Sequence, residues 1–396
     1  MRVGRARPAK GLADPVRERQ CRDRPGRKHA GCGSPVQNRP DLVRAGDGRR
    51  DAGPGRRPCG SAEQGGVRAG RRKEDGRFRL CYSRPALRIL FITATRIGDA
   101  VLSTGLLNHL LRRHPHAKVV VACGPAAEGV FARMPNRAWT IVLPKRALRL
   151  HWWDLWRQVA GSRWDLVVDL RASGLAWTIR AKRRVVMRGG RRPGHRLAQL
   201  GALMGLDPPP LPVAWFGPAE RRRAEALLPG EGPWLALGPT ANWDRKVWPA
   251  DRFVALAAAL SAPGRPLEGA RVAVLGGPGA AERAMAGPVL AALGGRAVDL
   301  VGNLSLPEAA AVLARSALFV GNDSGLMHLS AATGTPTLGL FGPSPVDHYA
   351  PAGPRAAAAV APGSPGLDSM PALTLDMAVQ AAERLLAAPA TASVPA

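Results

Sequence analysis

Cysteine is scarce in this 396-residue chain, and what there is lies in the wrong place to build a scaffold. Cys21, Cys32, Cys59 and Cys81 fall in the first 84 residues without metal-ligand spacing, and only Cys123 follows. Beyond residue 84 the count therefore excludes a structural disulfide or a cysteine zinc site. Long apolar runs are also missing: nowhere does the sequence approach the roughly 18 to 20 consecutive apolar residues that span a bilayer. No two acids stand in an Asp-x-Asp spacing. Acids are outnumbered throughout, with 29 Asp and Glu against 57 Lys and Arg.

Residues 1–84 carry 23 of those bases and nine acids, and almost no run of Leu, Ile, Val or Phe. Such a composition cannot bury enough apolar surface to offset about 1 to 2 kcal/mol of backbone entropy per ordered residue. We expect a disordered basic extension there. It lacks the apolar core of a secretory signal, and Pro and Gly interrupt any transit-like helix. A mis-assigned start and a basic tail for anionic surfaces both account for it. The remainder, with a net charge of +14, is still strongly basic and should seek anionic partners.

From Leu87 the pattern changes to alternating strand and helix. LRILFIT reads as a buried strand and GDAVLSTGLLNHLLRRH as an amphipathic helix; KVVVAC, TIVLP and DLVVDL continue as strands, with the helix WWDLWRQVA before the last. The proline cluster from Pro208 to Pro212 breaks the pattern, since it forbids helix and cannot donate to a central ladder. A second series follows, from WLALG through RVAVLGG, AVDLVG, LFVGND and PTLGLFG, and closes on the helix LTLDMAVQAAERLLAA. The expected fold class is α/β: two Rossmann-like domains facing across a cleft, over residues 85–212 and 213–390. Ligands of such sheets bind at the carboxyl ends of the strands.

Four segments carry candidate chemistry. In LFVGNDSGLMH a strand ends at Asn322, and Asp323, Ser324 and Gly325 open a helix, whose free amides and positive dipole suit a phosphate. Simple capping by Asp323 or Ser324 explains the same residues. His328, one turn on, either faces the same ligand or is a hydrogen-bonded core residue. GPTANWDRKVWP places Thr240, Asn242, Arg245 and Lys246 in one loop, where Lys246 suits phosphate oxygens and a solvated loop is the plainer alternative. In VLGGPGAAER, Gly277, Gly279 and Asp299 loosely imitate a dinucleotide fingerprint, but Glu282 stands where the last glycine should. Glu282 is either a ribose ligand or an exposed helix acid. Finally, TRIGDAVLST sets Gly98 and Asp99 at the mouth between first strand and first helix, where Asp99 either caps the helix or takes a proton from an attacking hydroxyl.

Between Arg180 and Arg196 there are eight Lys or Arg and no acid. Nucleic acid, anionic lipid, a negatively charged sugar and plain solvent are all candidate partners for Arg183, Arg184, Arg188, Arg191 and Arg192. No helix-turn-helix, zinc finger or RNA-binding sheet pattern supports the first.

Taken together, RIGDAVLSTGLL, DLVVDLR, GPTANWDRKVWP, LGGPGAAER and LFVGNDSGLMHLSAATGTPTLGLFGPS resemble glycosyltransferase family 9, best known for the ADP-heptose:lipopolysaccharide heptosyltransferases. The likeness spans about Leu87 to Leu386. It implies a GT-B-like fold and an inverting, metal-independent transfer with no cofactor. A heptose-like sugar would pass from an ADP-sugar donor to an anionic, lipid-linked inner-core acceptor at the cytoplasmic face of the inner membrane. By the same resemblance Asp99 is the base, and we separately expect Gly98 and the arginines on the acceptor side. Thr240, Lys246, Glu282, Asp323, Ser324, Gly325 and His328 bind the donor. A sugar-nucleotide epimerase of similar fold and a basic nucleic-acid-binding protein are the rival readings; the latter would show salt-dependent duplex binding without sugar-nucleotide affinity.

If residues 1–84 make no core, deleting them leaves the melting temperature and activity unchanged. A fall of several degrees in a thermal melt of the truncated chain would overturn that expectation.

Overall fold

The computed structural model describes residues 86–188, 193–367 and 369–389. The extension expected over residues 1–84 lies outside them. In the first half, β1 (Arg88–Ile92), α1 (Ile97–Arg113), β2 (Lys118–Cys123), β3 (Arg137–Val142), α2 (Leu150–Val159), β4 (Trp164–Asp169), β5 (Ala181–Val186) and α3 (Arg196–Ala202) follow in order. The strands form a wholly parallel sheet ordered β3-β2-β1-β4-β5. Helices cover both faces, which is why central strands such as Ile89–Ile92 are apolar at every position.

The second half comprises α4 (Pro218–Leu227), β6 (Trp234–Gly238), α5 (Ala250–Ser261), β7 (Arg271–Val274), α6 (Ala280–Leu293), β8 (Ala297–Asp299) and α7 (Leu306–Ala314). It continues with β9 (Leu318–Asn322), α8 (Gly325–Thr333), β10 (Thr337–Phe341), α9 (Val346–Tyr349), β11 (Ala356–Val360) and α10 (Leu375–Ala387). Its six-stranded parallel sheet is ordered β11-β10-β9-β6-β7-β8. Two elements carry no periodic signal in the sequence. The helix α4 buries only Glu220 and Ala224 among its charges, and β11 is almost pure alanine.

The two halves are held against each other. A single core cluster runs from Phe91, Leu106 and Phe131 in the first to Leu313, Phe319 and Met327 in the second. The connecting chain lies along α1: a side chain at Gly105 would meet the Pro210 carbonyl oxygen at 2.2 Å, so only glycine fits. Thr104 Oγ1 accepts the Val213 amide at 2.9 Å, and the Ala214 amide donates to Ala332 O at the end of α8. Arg133 donates twice to the buried carboxylate of Glu220 on α4.

His195 makes the last bridge. Its Nδ1 accepts the Leu197 amide and caps α3, so the proton is on Nε2, which donates to Ala350 O of the second half at 2.9 Å. Burial lowers its pKa below the ordinary 6.5, and the nearby His348 acts in the same direction against the opposing Ala350 hydrogen bond. A histidine held neutral in the fold contributes stability that is complete above pH 6.5 and lost as pH falls through its depressed folded value. Melting temperature is therefore expected to drop from about pH 7 to about pH 5. His195→Asn, which keeps an acceptor for Leu197 without titrating there, should make the drop shallower; an unchanged acid limb would show that His195 does not contribute to it.

Candidate functional site

Each sheet has one place where successive crossovers leave in opposite directions, and the crevice at that point is open at the carboxyl ends of the strands. In the first sheet it lies between β1 and β4, under the loops Thr93–Arg96 and Leu170–Ser173. In the second it lies between β6 and β9, where the Thr240–Lys246 loop faces the start of α8.

At the second crevice the side chains converge on the α8 N-terminus. Lys246 Nζ donates to Asp323 Oδ2 at 2.6 Å, and both groups are largely buried. Asn322, fully buried, accepts the Trp248 amide through Oδ1, which ties the loop to the strand end. Asn322 Nδ2, Ser324 Oγ and His328 Nδ1 are each buried without a hydrogen-bond partner. Buried polar atoms are normally paired, so three unpaired ones within seven residues mark a surface built to receive polar groups. Ser324 occupies the N-cap position of α8, yet its side chain makes no cap bond. Capping does not account for it. Thr240 is buried beside Gly276, and Glu282 folds back so that Oε2 accepts the Gly277 amide at 3.0 Å. Glu282 is thus a half-committed carboxylate facing the β6 and β7 ends, and the exposed-acid reading fails.

The first crevice brings Asp99 to the same place from the other side. The α1 N-cap is Arg96, so Asp99 is the third helical residue, and it makes no cap hydrogen bond. Its half-buried carboxylate lines a cavity of about 200 Å³ with Thr93, Ser103, Arg171 and Arg196. Arg171 is held there by Asp169, fully buried at the end of β4, whose carboxylate accepts the amides of Arg171 and Ser173 and the Ser173 hydroxyl. A second cavity of about 490 Å³ shares Thr93 and Arg171 and is lined by Lys145, Arg146, Arg149 and His151.

The two helix starts touch. A Cβ on Gly98 would lie 2.8 Å from His328 Cδ2, and one on Gly325 would lie 2.8 Å from Ile97 Cβ. His328 is fully enclosed, and burial lowers its pKa more than Asp323 and Asp99 raise it, with His195 and Lys246 adding to the lowering. It stands as a neutral imidazole between two carboxylates.

Residues 194–366 match the model of Glycosyltransferase family 9 (heptosyltransferase). Over that span the chain resembles glycosyltransferase family 9. It is 26% identical over 317 residues to lipopolysaccharide heptosyltransferase 2 of Salmonella typhimurium, covering 67% of this chain and 85% of that protein. With lipopolysaccharide heptosyltransferase 1 of Pseudomonas aeruginosa it shares 29% over 299 residues, covering 65% and 79%. Its fold matches a glycosyl transferase family 9 protein from Veillonella parvula with a TM-score of 0.63 at 22% identity, over 76% of this chain and 97% of that one. The E. coli ADP-heptose lps heptosyltransferase II superposes with a TM-score of 0.61 at 23% identity, over 76% and 98%. The architecture is GT-B-like, and the protein is a glycosyltransferase.

The structure redistributes the expected residues. Asp99, Lys246, Asp323, Ser324 and His328 come together around the α1–α8 contact, with Thr240 and Glu282 at the neighbouring strand ends. Gly98 and Gly325 serve the approach of the two halves. The arginine stretch divides. Arg184 gives its guanidinium donors to the carbonyls of Ala176, Ile179 and Ala181, so it pins the loop before β5 instead of facing an acceptor. Arg183 is exposed on the edge strand β5 and Arg188 is exposed beyond it, while Arg191 and Arg192 lie outside the described residues. Sequence reasoning counted Arg196 only as the end of the basic stretch and missed Arg171, Lys145, Arg146 and Arg149. Only Arg171 carried a signal, as a cation directly after the strand DLVVDL. Among the described residues no group of three or more His, Cys, Asp or Glu is placed to hold a metal ion.

Ser324→Ala separates the two roles of that hydroxyl. Loss of a capping serine costs about 1 kcal/mol. Here the melting temperature is expected to hold or rise, because a buried unpaired hydroxyl is removed. A fall of several degrees would restore the cap.

Proposed function

We propose that this protein transfers a heptose from an ADP-heptose-like donor to the inner core of lipopolysaccharide, with inversion at the anomeric carbon and without a metal. The observation that carries the reading is the cluster of buried, unpartnered polar atoms at the α8 N-terminus beside Lys246, with the Asp99 carboxylate brought to it by the α1–α8 contact. The relatives named above are heptosyltransferases, and the superposed E. coli structure is an ADP-heptose lps heptosyltransferase, which supports an ADP-heptose-like donor.

In this mechanism the second half, residues 213–390, holds the donor. The α8 amides and Lys246 face the diphosphate, Asp323 fixes the ammonium in place, and the free edge of Glu282 meets the ribose. The first half, residues 85–212, holds the acceptor. Asp99 takes the proton from the acceptor hydroxyl as its oxygen bonds to the anomeric carbon from the face opposite the diphosphate. The bond to the leaving phosphate oxygen breaks with its electron pair, and the diphosphate leaves as an anion stabilised by Lys246 and the helix dipole. Attack from the opposite face inverts the configuration. Fixed cationic and amide groups do the neutralising, in keeping with a sequence that has no Asp-x-Asp pair. The acceptor's negative groups fit the cavity lined by Lys145, Arg146, Arg149 and Arg171 better than the expected arginines of β5. Because the acceptor is lipid-linked, the enzyme works against a membrane surface, although no helix among the described residues is long and apolar enough to cross one.

Asp99→Asn tests the chemistry. Since Asp99 makes no cap bond, the variant should melt near wild type and bind ADP with unchanged affinity by calorimetry. Turnover should fall by at least about a hundredfold, because an amide cannot accept the proton. Turnover within about threefold of wild type would remove Asp99 as the base, since general-base loss costs far more.

A further inference from the structure

Of eight large hydrophobic side chains exposed among the described residues, four belong to one segment, Trp139 to Trp153. Trp139 shares its face of β3 with Ile141, two residues on, and Ile141 packs in the core under α2. The helix α2 buries Leu155 and Val159 there and turns Leu150, Trp153 and Arg157 outward at helical spacing. Trp153 stacks on Trp156 at 4.9 Å, so the outer face presents a firm aromatic plate. Between strand and helix, Leu148 is 92% exposed, and Leu148 and Arg149 both adopt left-handed backbone, with φ of 51° and 58°. Two successive non-glycine residues in that region, one of them a fully presented leucine, are costly in water and need a compensating use.

The charges around this surface are of one sign. From Arg137 to Arg157 there are five Lys or Arg and a single acid, Asp154, which is paired to Arg146 at 2.7 Å. Tryptophan and leucine interleaved with arginine and lysine on an otherwise folded surface match the interface of an anionic bilayer. The rings and Leu148 would enter the headgroup boundary while the cations meet lipid phosphates. Lys145, Arg146 and Arg149 also line the larger cavity of the first half, so this surface and the mouth of that cavity share one loop.

We infer that the β3–α2 face, with Leu148 at its tip and Trp139 and Trp153 beside it, docks this protein on a bilayer containing anionic phospholipid. The inference rests on the proposed function only for its purpose, namely that a lipid-linked acceptor enters the adjoining cavity from the surface on which the protein sits.

The full chain is mixed with vesicles of phosphatidylcholine, with or without phosphatidylglycerol, and read by cosedimentation and by quenching of tryptophan fluorescence with brominated lipid. Residues 1–84 contain no tryptophan, so quenching reports on the body alone. Wild type should sediment with, and be quenched by, the vesicles containing phosphatidylglycerol. Leu148→Ser combined with Trp153→Ser should lower partition about tenfold, whereas Leu148→Phe should match wild type. Leu148 is so exposed that Leu148→Ser alone cannot disturb packing, and it should give part of the loss. The inference is overturned by sedimentation without quenching, by equal partition of wild type and the double variant, or by a concentration-dependent dimer buried on this face. Transfer to a delipidated, soluble acceptor is measured alongside and should survive Leu148→Ser. Its failure in wild type would refute the proposed transfer and leave the vesicle result standing.

Discussion

Where α1 meets α8 there is no room for a side chain on either helix. Gly98 lies against the ring of His328, and Gly325 lies against Ile97, each at a separation that a methyl group would violate. The rest of the site depends on this contact. It sets the first turn of a helix from one sheet against the first turn of a helix from the other, so that two positive helix ends lie side by side. The connecting chain reinforces it: Gly105 lets Pro210 and Leu211 lie on α1, and the hydrogen bonds of Val213 and Ala214 tie that segment to both helices.

Electrostatics at the contact follows from how tightly it closes. His328 sits between Asp99 and Asp323, and either carboxylate alone would favour an imidazolium. Burial outweighs them, so the ring is neutral and its Nδ1 is available. Lys246 is paired with Asp323, which keeps a largely buried cation compensated. Under the proposed function, a diphosphate arriving at the α8 amides meets an ammonium already oriented, with little reorganisation to complete.

The alternation of strands and helices was legible because strands buried on both faces must be apolar throughout, and the punctuation of Gly and Pro is equally visible. What escaped detection had no such pattern. The helix α4 is held by one ion pair and one alanine on an otherwise charged surface, and β11 is alanine because it lies at the sheet edge beneath α10. Within the site, LFVGNDSGLMH gave the strand end and helix start but left capping and ligand binding equally open. For Ser324 only the structure shows that its buried hydroxyl makes no cap bond. Gly98 and Gly325 were visible as glycines at helix starts, but not that His328 and Ile97 lie against them across the contact.

Positive charge shows why residue density is a poor guide to a binding surface. Arg180 to Arg196 is the more crowded stretch, but within it the edge strand β5 leaves Arg183 exposed and Arg184 closed on the carbonyls of its own loop. Lys145, Arg146, Arg149 and Arg171 come from two loops far apart in sequence that meet at the carboxyl ends of parallel strands. Parallel topology forces that meeting, since every crossover returns to the same edge before the next strand begins. An anion is held by charges that converge from separate loops, and convergence is a property of the sheet order, which local composition does not contain.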